Sequence, residues 1–105
     1  MTQQIVQINF QFNCSTPELK EVCSEIADSI ASFPGLSWKI WIINEEEKET
    51  GGIYCFESEQ AASAYLESSI VEDLKAHPAF EKITIKQFDT LADVTAITRG
   101  PINLA

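Results

Sequence analysis

From Ile5 to Phe12 the chain alternates strictly, with Val6, Ile8, Phe10 and Phe12 on one side and Gln7, Asn9 and Gln11 on the other. A period of two belongs to a β-strand with one buried face. The period then changes. In CSTPELKEVCSEIADSIASFPG, Leu19, Val22, Cys23, Ile26, Ala27, Ile30 and Phe33 follow helical spacing, and Glu18, Glu21, Glu25 and Asp28 largely take the other side. Pro17 suits the first helical turn, Ser15 with Glu18 makes a capping box, and Pro34-Gly35 ends the helix.

The switch recurs along the chain. Leu36 to Glu45 reads as a second strand, NEEEKETGG as a turn whose paired glycines permit unusual backbone conformations, and Ile53 to Phe56 as the returning strand. Ser58 opens a second helix with Ala62, Tyr65, Leu66, Ile70 and Leu74 as its stripe, weakened at Ser68-Ser69 and stopped by Pro78. Lys82 to Asp89 is a fourth, β-branched strand, and Leu91, Val94 and Ile97 space a short helical turn before a Gly100-Pro101 break. The order predicts an α+β, ferredoxin-like βαββαβ fold: an antiparallel four-stranded sheet with its helices on one face, as a single domain over residues 1–105.

The second strand adds a constraint. Simple alternation puts Leu36, Trp38, Ile40 and Ile42 on one side and Lys39, Trp41 and Ile43 on the other, so both sides are apolar. Helices of the same chain cover only one, and an exposed Trp41–Ile43 patch predicts an interface. A homodimer through the open sheet face is the economical partner.

Charge and cysteine usage exclude other classes. Sixteen acidic against seven basic residues give a net charge of −9, which repels nucleic acid and anionic membranes. No segment approaches the roughly 20 apolar residues of a membrane span. MTQQIVQINF lacks the features of a secretion signal, and Cys14, Cys23 and Cys55 form no CxxC pair, so reduced thiols in a cytoplasmic protein are expected. No hydrolase triad order, Walker loop or dinucleotide fingerprint is present.

PGLSWKIW (Pro34 to Trp41), GGIYCF (Gly51 to Phe56) and AYLE (Ala64 to Glu67) closely resemble the YdhR-like monooxygenase family. The likeness runs from the QINFQFN strand to KQFD. The family resembles the dimeric α/β barrel superfamily, with its cofactor-free antibiotic-biosynthesis monooxygenases and haem-degrading oxygenases. The resemblance implies ferredoxin-like subunits whose sheets pair face to face, and a cofactor-independent monooxygenase acting on a small aromatic or polyketide-like compound. Two alternatives are a non-catalytic dimer that binds a small apolar ligand, and a haem-binding or haem-degrading oxygenase.

Cofactor-free oxygenation calls for an aromatic-lined apolar pocket with a few polar groups that assist loss of a phenolic proton. Trp38 and Tyr54 match the family motifs and, by alternation, face each other; Tyr65 on the second helix points at the same sheet. These three are the candidate catalytic residues. Phe10 and Phe12 are candidate pocket wall, Lys39 a candidate partner for an anionic intermediate, and Asn44 a candidate oxyanion donor or turn former. No cofactor or metal is expected. His77 closes a helix in KAHP and reads as structural, although Asn9, one tryptophan and His77 loosely imitate the residue set of haem-degrading relatives.

Overall fold

The computed structural model describes residues 3–102. Its strands are β1 (Gln4–Phe12), β2 (Leu36–Asn44), β3 (Glu49–Phe56) and β4 (Phe80–Asp89). Its helices are α1 (Thr16–Ala31), α2 (Glu59–Leu66), α3 (Ser69–Ala76) and α4 (Ala92–Ile97). The sheet is antiparallel in the order β2-β3-β1-β4, and α1 to α3 lie on one face. This is the ferredoxin-like arrangement expected. Among the described residues no helix is long and apolar enough to cross a membrane.

Local chemistry sets the boundaries. Ser15 Oγ accepts from the Glu18 N–H at 3.2 Å while Glu18 Oε1 accepts from the Ser15 N–H at 3.2 Å, the reciprocal capping box, and Pro17 occupies the first turn. Gly35 adopts φ +88°, a left-handed conformation that its missing side chain makes accessible. Ser58 caps α2, and the chain breaks into α2 and α3 at Ser68, as its paired serines suggested. Val6, Ile8, Phe10 and Phe12 of β1 are buried against Leu19 and Ile30 of α1, Ala62 and Tyr65 of α2 and Val71 of α3.

Two expectations are corrected. The turn is shorter than NEEEKETGG: Glu49–Phe56 is all strand, and Gly51 and Gly52 are strand residues. The left-handed turn position belongs to Lys48, at φ 54°. The glycines are there for room. A Cβ at Gly51 would overlap the Ile8 carbonyl oxygen and lie 2.9 Å from Asn9 Cα, and a Cβ at Gly52 would overlap Lys39 Cε.

The second correction concerns β2. Leu36 pairs with Phe56 but Trp38 pairs with Cys55, so Ser37 is an extra residue, a bulge. Past it the parity inverts. Lys39 opposes Tyr54 and Trp41 opposes Gly52, and Tyr54 opposes core residue Val6. Lys39, Trp41 and Ile43 therefore share the helix side, and Trp38, Ile40 and Ile42 face the open side. The expected Trp41–Ile43 patch on the open face is wrong for this reason. That face instead carries Ile40 and Phe88, 52% and 46% exposed. The tail reaches it too, since Trp38 Nε1 donates to the Pro101 carbonyl at 2.8 Å.

The two glycines should respond differently to alanine. Gly51→Ala drives a methyl into backbone and should cost at least about 3 kcal/mol. Gly52→Ala meets the far end of a flexible lysine and should cost clearly less. Urea denaturation of both variants checks this; equal destabilisation would contradict the packing described.

Candidate active site

β1, β2, β3 and the helices line a cavity of about 180 Å³. Its floor is sheet: Phe10 on β1, Lys39 and Trp41 on β2, Tyr54 on β3. Its roof is helix, with Cys23 on α1 and Tyr65 on α2, and its far wall is α3 with His77 and Phe80 beyond it. Cys23 and Trp41 also line a shallower groove between α1 and β2. They mark the cavity mouth, and Trp41 is 39% exposed there.

The aromatic cluster around Tyr65 is tightly organised. Tyr54 and Tyr65, 2% and 1% exposed, have ring centroids 5.0 Å apart. Phe33 and Phe56 stand at 5.1 and 5.3 Å from Tyr65, one edge-on and one tilted. Tyr65 Oη–H donates to Tyr54 Oη at 3.1 Å. Two O–H groups share this one hydrogen bond, which leaves one O–H of the pair for a ligand. Burial pushes both phenols up, and at Tyr54 the adjacent Tyr65 adds to it. Both stay protonated at neutral pH. They are donors here, not bases.

Lys39 lies on the sheet side of this largely apolar cavity, across from Asp73 and His77 on the α3 side. Its stem crosses Gly52, and Nζ lies 3.3 Å from the Trp41 ring centroid and 4.5 Å from that of Tyr54. Among the described residues no carboxylate forms an ion pair with it. Burial pushes the ammonium down to about 7, with only a small opposing contribution from Cys23. The two ring faces hold what charge remains by cation–π attraction. The same burial pushes the Cys23 thiol up, which keeps it protonated and unreactive.

His77 is turned to its own backbone. Its Nδ1 accepts from the Ala79 N–H at 3.1 Å, and its ring stacks on Phe80 with centroids 4.4 Å apart. Among the described residues no cluster of three or more His, Cys, Asp or Glu side chains could hold a metal ion.

Of the residues singled out in the sequence, Tyr54, Tyr65, Lys39 and Phe10 meet at this cavity. Trp38, Phe12 and Asn44 do not. Trp38 is on the open face, carried there by the Ser37 bulge. Phe12 is buried in the core away from the cavity, beneath Lys48 Nζ at 4.6 Å. Asn44 Oδ1 accepts from the Glu47 N–H at 3.1 Å and so shapes the hairpin turn. Trp41 is the residue that alternation misplaced. Its register partner is Gly52, and the room that this glycine leaves is taken by the Lys39 stem rather than by the indole.

Residues 5–101 match the family described as "Putative mono-oxygenase ydhR". The chain belongs to this family. No curated protein matches it. Solved structures share its fold at low identity. A protein of unknown function from Nitrosomonas europaea superposes with a TM-score of 0.73 at 16% identity, over 87% of this chain and 91% of that one. SnoaB, a cofactor-independent oxygenase from Streptomyces nogalater, gives 0.70 at 14% identity over 86% and 94%. The haem degrader MhuD from Mycobacterium tuberculosis, solved with two haems in its active site, gives 0.64 at 18% identity over 83% and 95%.

The ionisation of Lys39 has a stability consequence. Its folded value near 7 lies below the usual 10.5, so between those limits the unfolded chain holds a proton that the folded chain does not. Stability then rises with pH across that window. Lys39→Met should be more stable than the parent at pH 6 by roughly 1–3 kcal/mol. The advantage should shrink between pH 7 and 10. Thermal or urea unfolding over that range measures it, and a pH-independent difference would mean that Lys39 is solvated in the fold.

Proposed function

We propose that this protein is a cofactor-independent monooxygenase for small electron-rich phenols, with the Lys39–Trp41–Tyr54–Tyr65 cavity as its active site. The observation that carries this reading is a largely buried amine, held between the Trp41 and Tyr54 rings with no carboxylate partner among the described residues, inside an aromatic, largely apolar cavity whose burial pushes it down to about 7. Neutral Lys39 accepts the phenolic proton, and the resulting ammonium stays beside the phenolate it has made. Trp41 offers a ring face to the substrate, and Tyr54 O–H donates to the developing oxyanion. Tyr65 orients Tyr54 through the 3.1 Å hydrogen bond.

The chemistry needs no further reductant. The activated ring carbon, as a CH2 group, gives four electrons and two protons to dioxygen; one oxygen becomes the new carbonyl and the other leaves as water. Size supports a small substrate, since a cavity of about 150 Å³ holds one benzene ring and this one is about 180 Å³. A porphyrin is several times larger, and His77 is engaged by its own backbone, so these residues fit haem poorly.

Lys39→Met and Tyr54→Phe should each lower oxygen uptake on single-ring electron-rich phenols by about a hundredfold, with melting temperatures close to or above the parent's. Oxygen-electrode rates with product mass spectrometry provide the measurement. Full activity in both variants would remove this site from the reaction, a Soret band on haemin titration would favour a haem protein, and ligand binding without turnover a carrier.

A second copy packed on the open face remains part of this proposal, now on Ile40 and Phe88 rather than on Trp41 and Ile43. Both are about half exposed. Ile40→Glu should yield monomers in sedimentation equilibrium at micromolar concentration, because a charge in that contact would be desolvated. A monomeric parent protein would overturn the dimer.

A further inference from the structure

We propose that Lys39 is also a nucleophile, and that the cavity captures small aromatic aldehydes as imines on Lys39 Nζ. This activity uses the same cavity but requires neither dioxygen nor turnover, so it stands or falls separately from the oxygenase reading.

Three features of the cavity support it. The amine has no carboxylate partner among the described residues, so nothing ties up its lone pair once the proton leaves. The chain has five further lysines, Lys20, Lys48, Lys75, Lys82 and Lys86, and all are exposed. Lys39 alone lies partly buried, between the Trp41 and Tyr54 rings. Those rings also supply flat faces beside Nζ on which an aromatic aldehyde can stack. Finally, the Tyr54 O–H is on the same floor, as a donor for the oxygen of the attacked carbonyl.

The condensation balances without any other reagent. The Nζ lone pair adds to the aldehyde carbon, the carbonyl oxygen takes up protons, and the resulting hydroxyl leaves as water. One amine and one aldehyde give one imine and one water, with no change in oxidation state. Apolar walls slow the return of water and so favour the imine. Burial helps by pushing the amine down to about 7, so that the unprotonated form is present at neutral pH, where a solvated lysine is almost wholly protonated. The other titratable groups lining the cavity are Cys23 on α1, Tyr54 on β3, Tyr65 on α2, and Asp73 and His77 on and after α3.

The test uses the intact protein, 4-hydroxybenzaldehyde as probe and sodium cyanoborohydride to reduce any imine to a stable amine. Intact mass and peptide mapping then locate the label. Peptide mapping at pH 7.5 should show Lys39 labelled at least tenfold faster than each exposed lysine, with the α-amine, which also reacts in this range, scored separately. Its pH profile should have a midpoint near 7, and the selectivity should be lost in urea. Tyr54→Phe should slow labelling of Lys39 several-fold without changing the other sites. Label spread evenly over the six lysines of the folded protein, or confined to the exposed five, would overturn the proposal. Because the map of the parent protein decides this, the result does not depend on any variant folding.

Discussion

One unpaired residue in β2 determines what the helices cover. With Ser37 bulged out, everything beyond it is rotated to the opposite face of the sheet, and Lys39 is turned toward the helices instead of solvent. The cavity follows from that inversion. Lys39 reaches over Gly52, Trp41 caps the lysine at the mouth, and Tyr54 lies directly across the strand pair. Without the bulge the helix side of β2 would carry Trp38 and Ile40, and the cavity would hold no cation.

The charge placed there is costly, and its surroundings limit the cost in specific ways. Aromatic faces replace some of the lost hydration, and the side chain can shed its proton near neutral pH. Neighbouring hydroxyls are held protonated by the same burial. Of Lys39, Tyr54 and Tyr65, the amine can therefore exchange a proton near neutral pH while the two phenols stay protonated. Such a division of roles between acid–base and positioning groups is how active sites obtain distinct functions from shared burial.

Much of this was legible in the residues. Strict alternation in β1, the capping box at Ser15 and Glu18, the caps at Ser58 and the break at Ser68 each act through neighbours a few positions away, which is why pattern alone identified the elements and their order. Tyr54 and Tyr65 were found because each lies on a regular stripe. Trp38 and Trp41 were exchanged because a bulge depends on how two strands meet across the sheet, and serine carries no mark of it. The glycine pair was assigned to a turn for a related reason. Glycine gives conformational freedom and also permits close approach, and only the neighbouring strand reveals which is needed.

Gly51 also bears on how the strands find one another. β1 and β3 are separated in the chain by α1 and β2, so their pairing must be selected from several alignments while the chain is still searching. A slip of one residue reverses the faces and exposes the core, so burial disfavours it. A slip of two keeps the faces correct, and burial hardly distinguishes it. It would, however, bring Glu49 or Ile53 to the place that Gly51 holds, where on the present backbone a Cβ overlaps the Ile8 carbonyl oxygen. The missing side chain thus acts as a key cut for one alignment, rejecting the mispairings that hydrophobicity would let pass.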